Sequence, residues 1–507
     1  MKDKIIFWMG GDFTHFSLSY YLQKMYDCEL YGIVDITNKP KNFFQKQDLV
    51  DFKKTWFFHD HININKKPDL EYLTYIEKKY DLNLWKLAIN ERIFYRFYNF
   101  HKFTTDEILC ILESECRLFE TILDEVKPDF FVTKEPAFHH LELFYQMCKK
   151  SGIKNLVLGQ PNIGYRCIIS EVPNRLDSFD SQLEDDVILP NRTFEELQKH
   201  LKSFDISKQI RTYDEQHGKS KKDWFKAILS YLLSENNNVK TNYNYFGRSK
   251  FKVITNMLSS ILKKNYRQSF INKNLEINVD LNSLFVYYTL SVDLERNLLI
   301  NSPFHTNQIE IIRHIAKSLP TGFKLYVKEN PSQITREWRS ISEYSEIMNI
   351  PNVTLIHPSF NSQDLIKNCK LVFTITGSSG FEAAFYGKPS IIFTDVGYQI
   401  LPSVTRIKEI ESLNHSILES LNKNIIPLDL EKYLLKLEKN SFKFDWLGFS
   451  SKFKDKFYYG GTLVDVNIFP DKLKTFLDEC SNELSLLASE HIKKIEYWKN
   501  NGLKNLD

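Results

Sequence analysis

This chain has no C-x-x-C pair, no apolar run approaching the ~20 residues of a membrane span, and no dominant sign of charge. Its seven cysteines (Cys28, Cys110, Cys116, Cys148, Cys167, Cys369 and Cys480) are odd in number and scattered. That spacing excludes a disulfide framework and a structural zinc site, and it suits a reducing cytoplasm. Lys and Arg number 67 against 64 Asp and Glu, so no global attraction to nucleic acid or to an acidic substrate exists. Only five apolar residues follow Met1-Lys2-Asp3-Lys4, too few for a signal peptide. Tandem repeats and low-complexity tracts are also missing. These absences predict a soluble cytoplasmic protein, at most peripheral on the inner face of a membrane.

What is present is enough for two or three domains: 507 residues, 42% apolar and 14% aromatic. The first strand, Ile5 to Met9, stops at Gly10-Gly11-Asp12. An amphipathic helix pattern over Phe16–Met25 follows, then a strand from Glu29 to Val34 that ends at Asp35. This βαβ order opens a doubly wound sheet. Helices are expected around 68–80 and 105–126. The sheet resumes at Phe130–Thr133, and a helix over about 138–150 stops at Gly152 before a strand over Asn155–Leu158. A Rossmann-like domain is therefore predicted over 1–175.

Residues 176–280 lose the sheet rhythm and read as a helical, basic connector. From Asn236 to Leu275 there are eight Lys or Arg and no Asp or Glu, interleaved with Tyr243, Tyr245, Phe246, Phe251, Tyr266 and Phe270. Such a stretch suits a solvated connector, a contact with anionic lipid or glycan, or stacking on RNA. The solvated connector is the first of these readings, a peripheral contact of 236–275 with an anionic membrane is the second, and nucleic acid is not expected.

Sheet rhythm returns at Leu284–Thr289. A helix near 306–318, a strand over Lys324–Val327, a polar helix, a strand over Val353–Ile356 and a helix over Ser362–Asn368 follow. Next comes the most informative stretch, LVFTITGSSGFEAAFYGKPSIIFTDVGY (371–398). It reads as strand, small-residue loop Thr376-Gly377-Ser378-Ser379-Gly380, helix with Glu382, turn, strand. A Gly/Ser loop at a strand's carboxyl end lets a ligand approach the backbone, and a following helix N-terminus favours phosphate. Glu382 can accept hydrogen bonds from ribose hydroxyls. The bare alternative is a tight turn with no ligand. A second Rossmann-like domain is predicted over 281–425 and a helical segment over 426–507, with apolar spacing at Leu473, Phe476, Leu477, Leu484 and Leu487.

Two such domains suggest a cleft between them as the active site, since ligands sit outside the carboxyl ends of strands in open α/β sheets. In the second domain Lys328, His357 and His305 lie at strand or helix ends, where each is either a contact to phosphate or sugar or an ordinary surface residue. His59-Asp60-His61 offers two imidazoles and a carboxylate but no further ligand, so no metal site is assigned.

The run FVYYTL…SPFHTNQIEIIRHIAKSLPTGFKLYVKENP and then HPSFNSQDLIKNCKLVFTITGSSGFEAAFYGKPSIIFTDVGY resembles bacterial capsule and surface-polysaccharide biosynthesis proteins, including the capsule-type Kdo transferases. More distantly it is similar to the GT-B superfamily, which also holds the UDP-GlcNAc 2-epimerases. The resemblance covers about 285–400, and the N-terminal domain only in its general rhythm. It implies a metal-independent GT-B-like glycosyltransferase without cofactor. Such an enzyme moves a sugar from a nucleotide-sugar donor, CMP-linked before UDP-linked, to a surface-polysaccharide or glycolipid acceptor. It places Lys328, Asn330, Ser378, Ser379 and Glu382 in the nucleotide pocket. Asn330 stands where the family pattern has a His that is implicated in holding the donor's phosphate. Asn donates a neutral hydrogen bond and carries no charge. A nucleotide-sugar epimerase or hydrolase, or a catalytically degenerate scaffold subunit, are the other readings of this fold.

The resemblance assigns acceptor and base to the N-terminal domain. An inverting transfer needs a group that takes the acceptor's hydroxyl proton. Asp12 at the end of the first strand is the first candidate; Glu135, His139 and His140 after Phe130–Thr133 form a second group. Asp12 also suits a helix cap, and the two His a helix start.

Overall fold

The computed structural model describes residues 2–36, 38–94, 98–161, 163–177, 190–202, 226, 229–233, 242–293, 295–461 and 463–501. Much of the predicted connector, including 203–225 and 234–241, lies outside them. The chain divides into two compact units. One comprises Met1–Asp177, Asp205–Lys250 and Asn440–Asp507; the other comprises Ser178–Phe204 and Phe251–Lys439.

The first unit is built on strands β1 (Asp3–Met9), β2 (Cys28–Val34), β3 (Phe52–Phe57), β4 (Phe130–Lys134), β5 (Lys154–Gly159) and β6 (Arg166–Ser170), with β13 (Phe442–Lys443) at one edge. Their order is β13-β6-β5-β4-β1-β2-β3, with β1 to β5 parallel, β6 antiparallel to β5, and β13 antiparallel to β6. The central strands read as unbroken apolar runs because both faces are covered. Phe7 and Met9 of β1 belong to one core layer and Ile6 and Trp8 to the other. The helix Thr105–Val126 is started by a reciprocal Thr104–Glu107 capping box.

The segment expected as a separate helical piece from 426 divides instead, because residues from 440 complete the first unit. Leu473, Phe476, Leu477, Leu484 and Leu487 are all buried in the same cluster as Phe13 and Phe16 of the first βα unit. Tyr21 Oη donates to the Leu477 carbonyl at 3.0 Å, and Trp446 Nε1 to Thr14 Oγ1 at 3.1 Å. The helix Thr14–Met25 presents an apolar outer face that the first 177 residues leave uncovered, and this C-terminal segment buries it.

The second unit carries β7 (Phe285–Thr289), β8 (Lys324–Lys328), β9 (Val353–Ile356), β10 (Val372–Thr374), β11 (Ser390–Ile392) and β12 (Val404–Arg406). They form one sheet in the order β12-β11-β10-β7-β8-β9, all parallel. This is the doubly wound order, whose reversal falls between β7 and β10. In the first unit the reversal falls between β1 and β4. Both units thus have the Rossmann-like sheet that the GT-B resemblance implies.

Candidate functional site

In the second unit the loops after β7, β8, β9 and β10 gather at the carboxyl edge of the sheet. Between β10 and the helix Ser379–Ala384, Gly377 N donates to Thr374 Oγ1 at 2.9 Å and Tyr398 Oη donates to Gly377 O at 2.5 Å. Ser378 is exposed, and its Oγ donates to Glu382 Oε1 at 2.7 Å. Ser379 Oγ is buried with no hydrogen-bond partner among the described residues. Thr376 is half-buried.

Two expectations for this loop change. A Cβ on Gly377 would lie 2.6 Å from Thr374 Oγ1, and one on Gly380 would lie 2.7 Å from Tyr398 Oη. The protein's own side chains alone require glycine at both positions. The helix is also only six residues long, so its dipole adds little to phosphate binding.

The neighbouring loops are held by a buried ion-pair network. Glu329 is fully buried and accepts from Arg339 Nε at 2.9 Å, Tyr344 Oη at 2.8 Å and Asn330 N at 2.7 Å. Arg339 also donates to Asp293 Oδ2 at 2.7 Å and to the Ser291 carbonyl at 2.6 Å. This ties the loop after β7 to the loop after β8. Lys328 is 3% exposed, and burial lowers its ammonium pKa to about 8 against the pull of Glu329 and Glu382. It also acts on His357, whose pKa is lowered by burial and then by Lys328.

Lys328, His357 and Glu382 therefore share one electrostatic neighbourhood. His305 does not join them: it pairs with Ser302 Oγ at 3.0 Å, packs on Phe393, and has Arg406 as the charge beside it. Asn330 Oδ1 caps the turn Pro331–Arg336 by accepting from Ser332 N at 3.0 Å. His357 is engaged by Ser359 Oγ at 2.6 Å and Asn272 Oδ1 at 3.2 Å.

The first unit holds a cavity of about 330 Å³ at the carboxyl ends of β1, β2 and β4. Its wall includes Gly10, Asp35, His59, Lys134, His140 and Arg248. Asp35 is the hub. Its Oδ1 pairs with His59 Nε2 at 3.0 Å, its Oδ2 with His140 Nε2 at 3.0 Å, and Trp8 Nε1 donates to Oδ2 at 3.4 Å. Burial would raise its carboxyl, yet His140 and His59 hold it far below the usual carboxylate range. His140 Nδ1 pairs with Tyr243 Oη at 3.0 Å, so both its nitrogens are taken. His59 Nδ1 is buried and has no hydrogen-bond partner among the described residues. In the tautomer whose Nε2–H donates to Asp35, that Nδ1 carries the lone pair.

The sequence candidates in this unit fare differently. Asp12 follows β1 as expected but is fully engaged. Lys134 Nζ lies 2.5 Å from its Oδ2, and Thr14 N donates to its Oδ1 at 3.2 Å. Although burial would raise its pKa, Lys134 and His15 bring it down to about 2, which makes it a weak base. Asp12 thereby satisfies the first backbone N–H of the helix Thr14–Met25, whose N-cap position is Phe13.

His139 is likewise unsuited to take a proton. Its Nδ1 lies 2.8 Å from Glu91 Oε2 and its Nε2 3.0 Å from Glu115 Oε1, all three residues being buried. Burial alone would discharge the ring, but Glu115 and Glu91 raise its pKa to about 10. It is a buried imidazolium. Glu135 is half-buried beyond β4, beside Gly159.

Ligand atoms of Glu115, His139 and His140 come within 4.8 Å of one another, the spacing of a metal site. Both imidazoles there have partners on each nitrogen, His139 through Glu115 itself, so a metal would have to displace these pairs. His59-Asp60-His61 fails for another reason: it is a 3₁₀ turn, not a strand, and Asp60 pairs with Lys41. Sequence reasoning missed the Asp35 hub, although Asp35 closing a strand after Val34 was the signal for it.

Residues 206–422 match the family model described as Capsule polysaccharide biosynthesis protein. No curated protein matches the chain. Among solved structures, a UDP-GlcNAc 2-epimerase from Methanocaldococcus jannaschii is 14% identical, over 87% of this chain and 99% of that one, with a TM-score of 0.25. KpsC of Thermosulfurimonas dismutans, a β-Kdo 2,4-transferase, is 14% identical over 60% and 78%, with a TM-score of 0.29. At such scores the structural likenesses carry no argument about chemistry. The resemblance read over 285–400 thus falls within residues 206–422, which match the family of capsule polysaccharide biosynthesis proteins.

Proposed function

We propose that the protein is a metal-independent glycosyltransferase of surface-polysaccharide synthesis. It takes a nucleotide-sugar donor, CMP-linked before UDP-linked, and a growing glycan or glycolipid acceptor. The acceptor is met at an anionic membrane through the basic stretch 236–275. The observation that carries this reading is the family match over 206–422, which includes the Thr376–Glu382 loop at the β7/β10 reversal. Lys328 supplies positive charge for the donor's phosphate, and the Ser378–Glu382 pair takes the ribose hydroxyls. Asn330, His357 and Ser379 complete the donor side more weakly, and His305 stands apart from it.

In the first unit the candidate base is His59, whose buried Nδ1 must be uncovered when the acceptor enters before it can take the hydroxyl proton, with Asp35 orienting the ring and stabilising the imidazolium that forms. His59 replaces Asp12 and His139 in that role, because theirs are occupied by Lys134 and by the two glutamates. Glu135 remains a second carboxylate near the strand end.

A thermal-shift screen against CMP-, UDP-, GDP- and CDP-linked sugars tests the donor. One nucleotide class is expected to raise the melting temperature, and no shift with any of them removes the reading. Conversion of a nucleotide sugar without acceptor would replace transfer by epimerase or hydrolase chemistry. Ser378→Ala and Glu382→Ala should each weaken donor binding by ~1–3 kcal/mol, the scale of a lost hydrogen bond to a charged group. Because Ser378 Oγ bonds to Glu382, the double variant should lose less than the sum of the two. Titration calorimetry across pH adds a separate check on Lys328. Its ammonium is depressed to about 8, so donor affinity should fall as pH rises through that value. Lys328→Met should bind weakly with no such slope.

A further inference from the structure

The helix Lys250–Asn274 is turned the wrong way for a helix that packs on a core. Phe251, Ile254, Leu258, Ile261 and Leu262 recur at helical spacing and share one face. That face is open to solvent: Phe251 is 75% exposed, Leu258 53% and Leu262 71%. Asn256, Ser259, Ser260 and Arg267, on the other side, are half-buried. The orientation is fixed at the C-terminal end. Ile271 is fully buried in the core of the second unit, and Arg267 Nη1 donates to the carbonyls of Glu337 at 3.1 Å and Trp338 at 2.8 Å. Trp338 Nε1 donates back to Gln268 Oε1 at 2.9 Å. The apolar stripe therefore cannot roll inward without breaking these contacts.

Charge says what covers it. Lys252 and Lys263 are exposed on the side that also carries Asn256 and Arg267, Lys264 is half-buried, and the stretch from 236 to 275 holds eight Lys or Arg and no acid. Residues 236–241 of that stretch lie outside the described ones. A second copy of this face would set cation against cation with no acid to offset it. An uncharged protein groove would leave the lysines without a role. No helix among the described residues is long and apolar enough to cross a membrane. Apolar residues on one face with Lys and Arg beside them is the pattern of a helix lying in the plane of an anionic bilayer surface.

We propose that this helix is the membrane-docking element. Phe251, Leu258 and Leu262 enter the boundary between headgroups and acyl chains, and the net positive charge of the helix, without an acid to offset it, draws it to the anionic surface. The assignment rests on the membrane contact already read for 236–275 and names the helix and the face that make it.

The test is co-sedimentation of the full chain with phosphatidylcholine vesicles with and without phosphatidylglycerol, at low and high salt. Wild type is expected to sediment with the anionic vesicles only, and less at high salt. The triple substitution Phe251→Ser, Leu258→Ser, Leu262→Ser should lower the bound fraction at least about tenfold. Its melting temperature should stay unchanged, because the three side chains are exposed. Lys252→Glu with Lys263→Glu should abolish the preference for anionic vesicles. If wild type ignores all vesicles, the membrane reading of 236–275 falls. If wild type binds and the triple variant binds equally, that reading stands and the helix face is overturned. A wild-type dimer by light scattering that the triple variant breaks, without vesicle binding, would make the occupant a second copy and also overturn it.

Discussion

His139→Ala should lower the melting temperature of the first unit by roughly 6–20 °C, from a loss of about 3–5 kcal/mol. The cause is what the substitution leaves behind. Glu91 and Glu115 are both buried, and the imidazolium between them accounts for their pairing at 2.8 and 3.0 Å. Without it two carboxylates share a dry site, and each must take up a proton or admit water. The pH dependence has a definite sign. The folded-state pKa of His139 is about 10 against an ordinary value of 6.5. Its stabilisation is therefore fully present below pH 6.5 and is lost as pH rises through 10. The gap between wild type and His139→Ala should narrow over that window. Thermal melts of the two proteins at pH 6, 8 and 10 measure it; a constant gap would mean that the ring is neutral in the folded protein.

The second large effect concerns chemistry. His59→Gln should reduce sugar transfer by roughly 10²–10⁴-fold, the usual contribution of a general base. Donor affinity should change little, because the donor residues lie in the second unit. Gln keeps a donor for Asp35 but has no nitrogen lone pair to accept a proton. Asp12→Asn serves as the comparison. It removes one carboxylate from Lys134 yet leaves His59 intact, and so should lower stability more than the rate in the folded fraction. A His59→Gln enzyme retaining more than about a tenth of the wild-type rate would exclude this base. Loss of rate in Asp12→Asn without loss of stability would return the role to Asp12.

His139 and Asp12, two of the groups in these experiments, were visible in the sequence as candidates, but their partners were not. His139 and Asp12 stood at strand or helix ends, where acid–base residues belong. Nothing local to either showed that Glu91, Glu115 and Lys134 would occupy them. A sequence names a residue type and its place on an element, whereas availability depends on partners that are distant in the chain. The His139 site joins positions 91, 115 and 139, and the Asp35 hub joins 8, 35, 59, 140 and 243.

By itself the sequence determined what short-range physics determines. Short unbroken apolar runs such as Phe130–Thr133 and Leu371–Ile375, set in a βα rhythm, read as buried parallel strands, and the residues after them as loops at a sheet edge. The βα rhythm fixed two doubly wound units, and the order of motifs over 285–400 pointed to capsule polysaccharide synthesis. Three things were decided only by tertiary structure. Residues 440–507 return to complete the first unit, because their apolar spacing could not say which surface they cover. The glycines at 377 and 380 make room for Thr374 and Tyr398, since whether space belongs to a ligand or to the protein depends on side chains brought in by the fold. The apolar stripe of Lys250–Asn274 faces outward because anchors at Arg267 and Ile271 hold it there. Periodicity gives a helix its two faces; long-range contacts choose which one meets solvent.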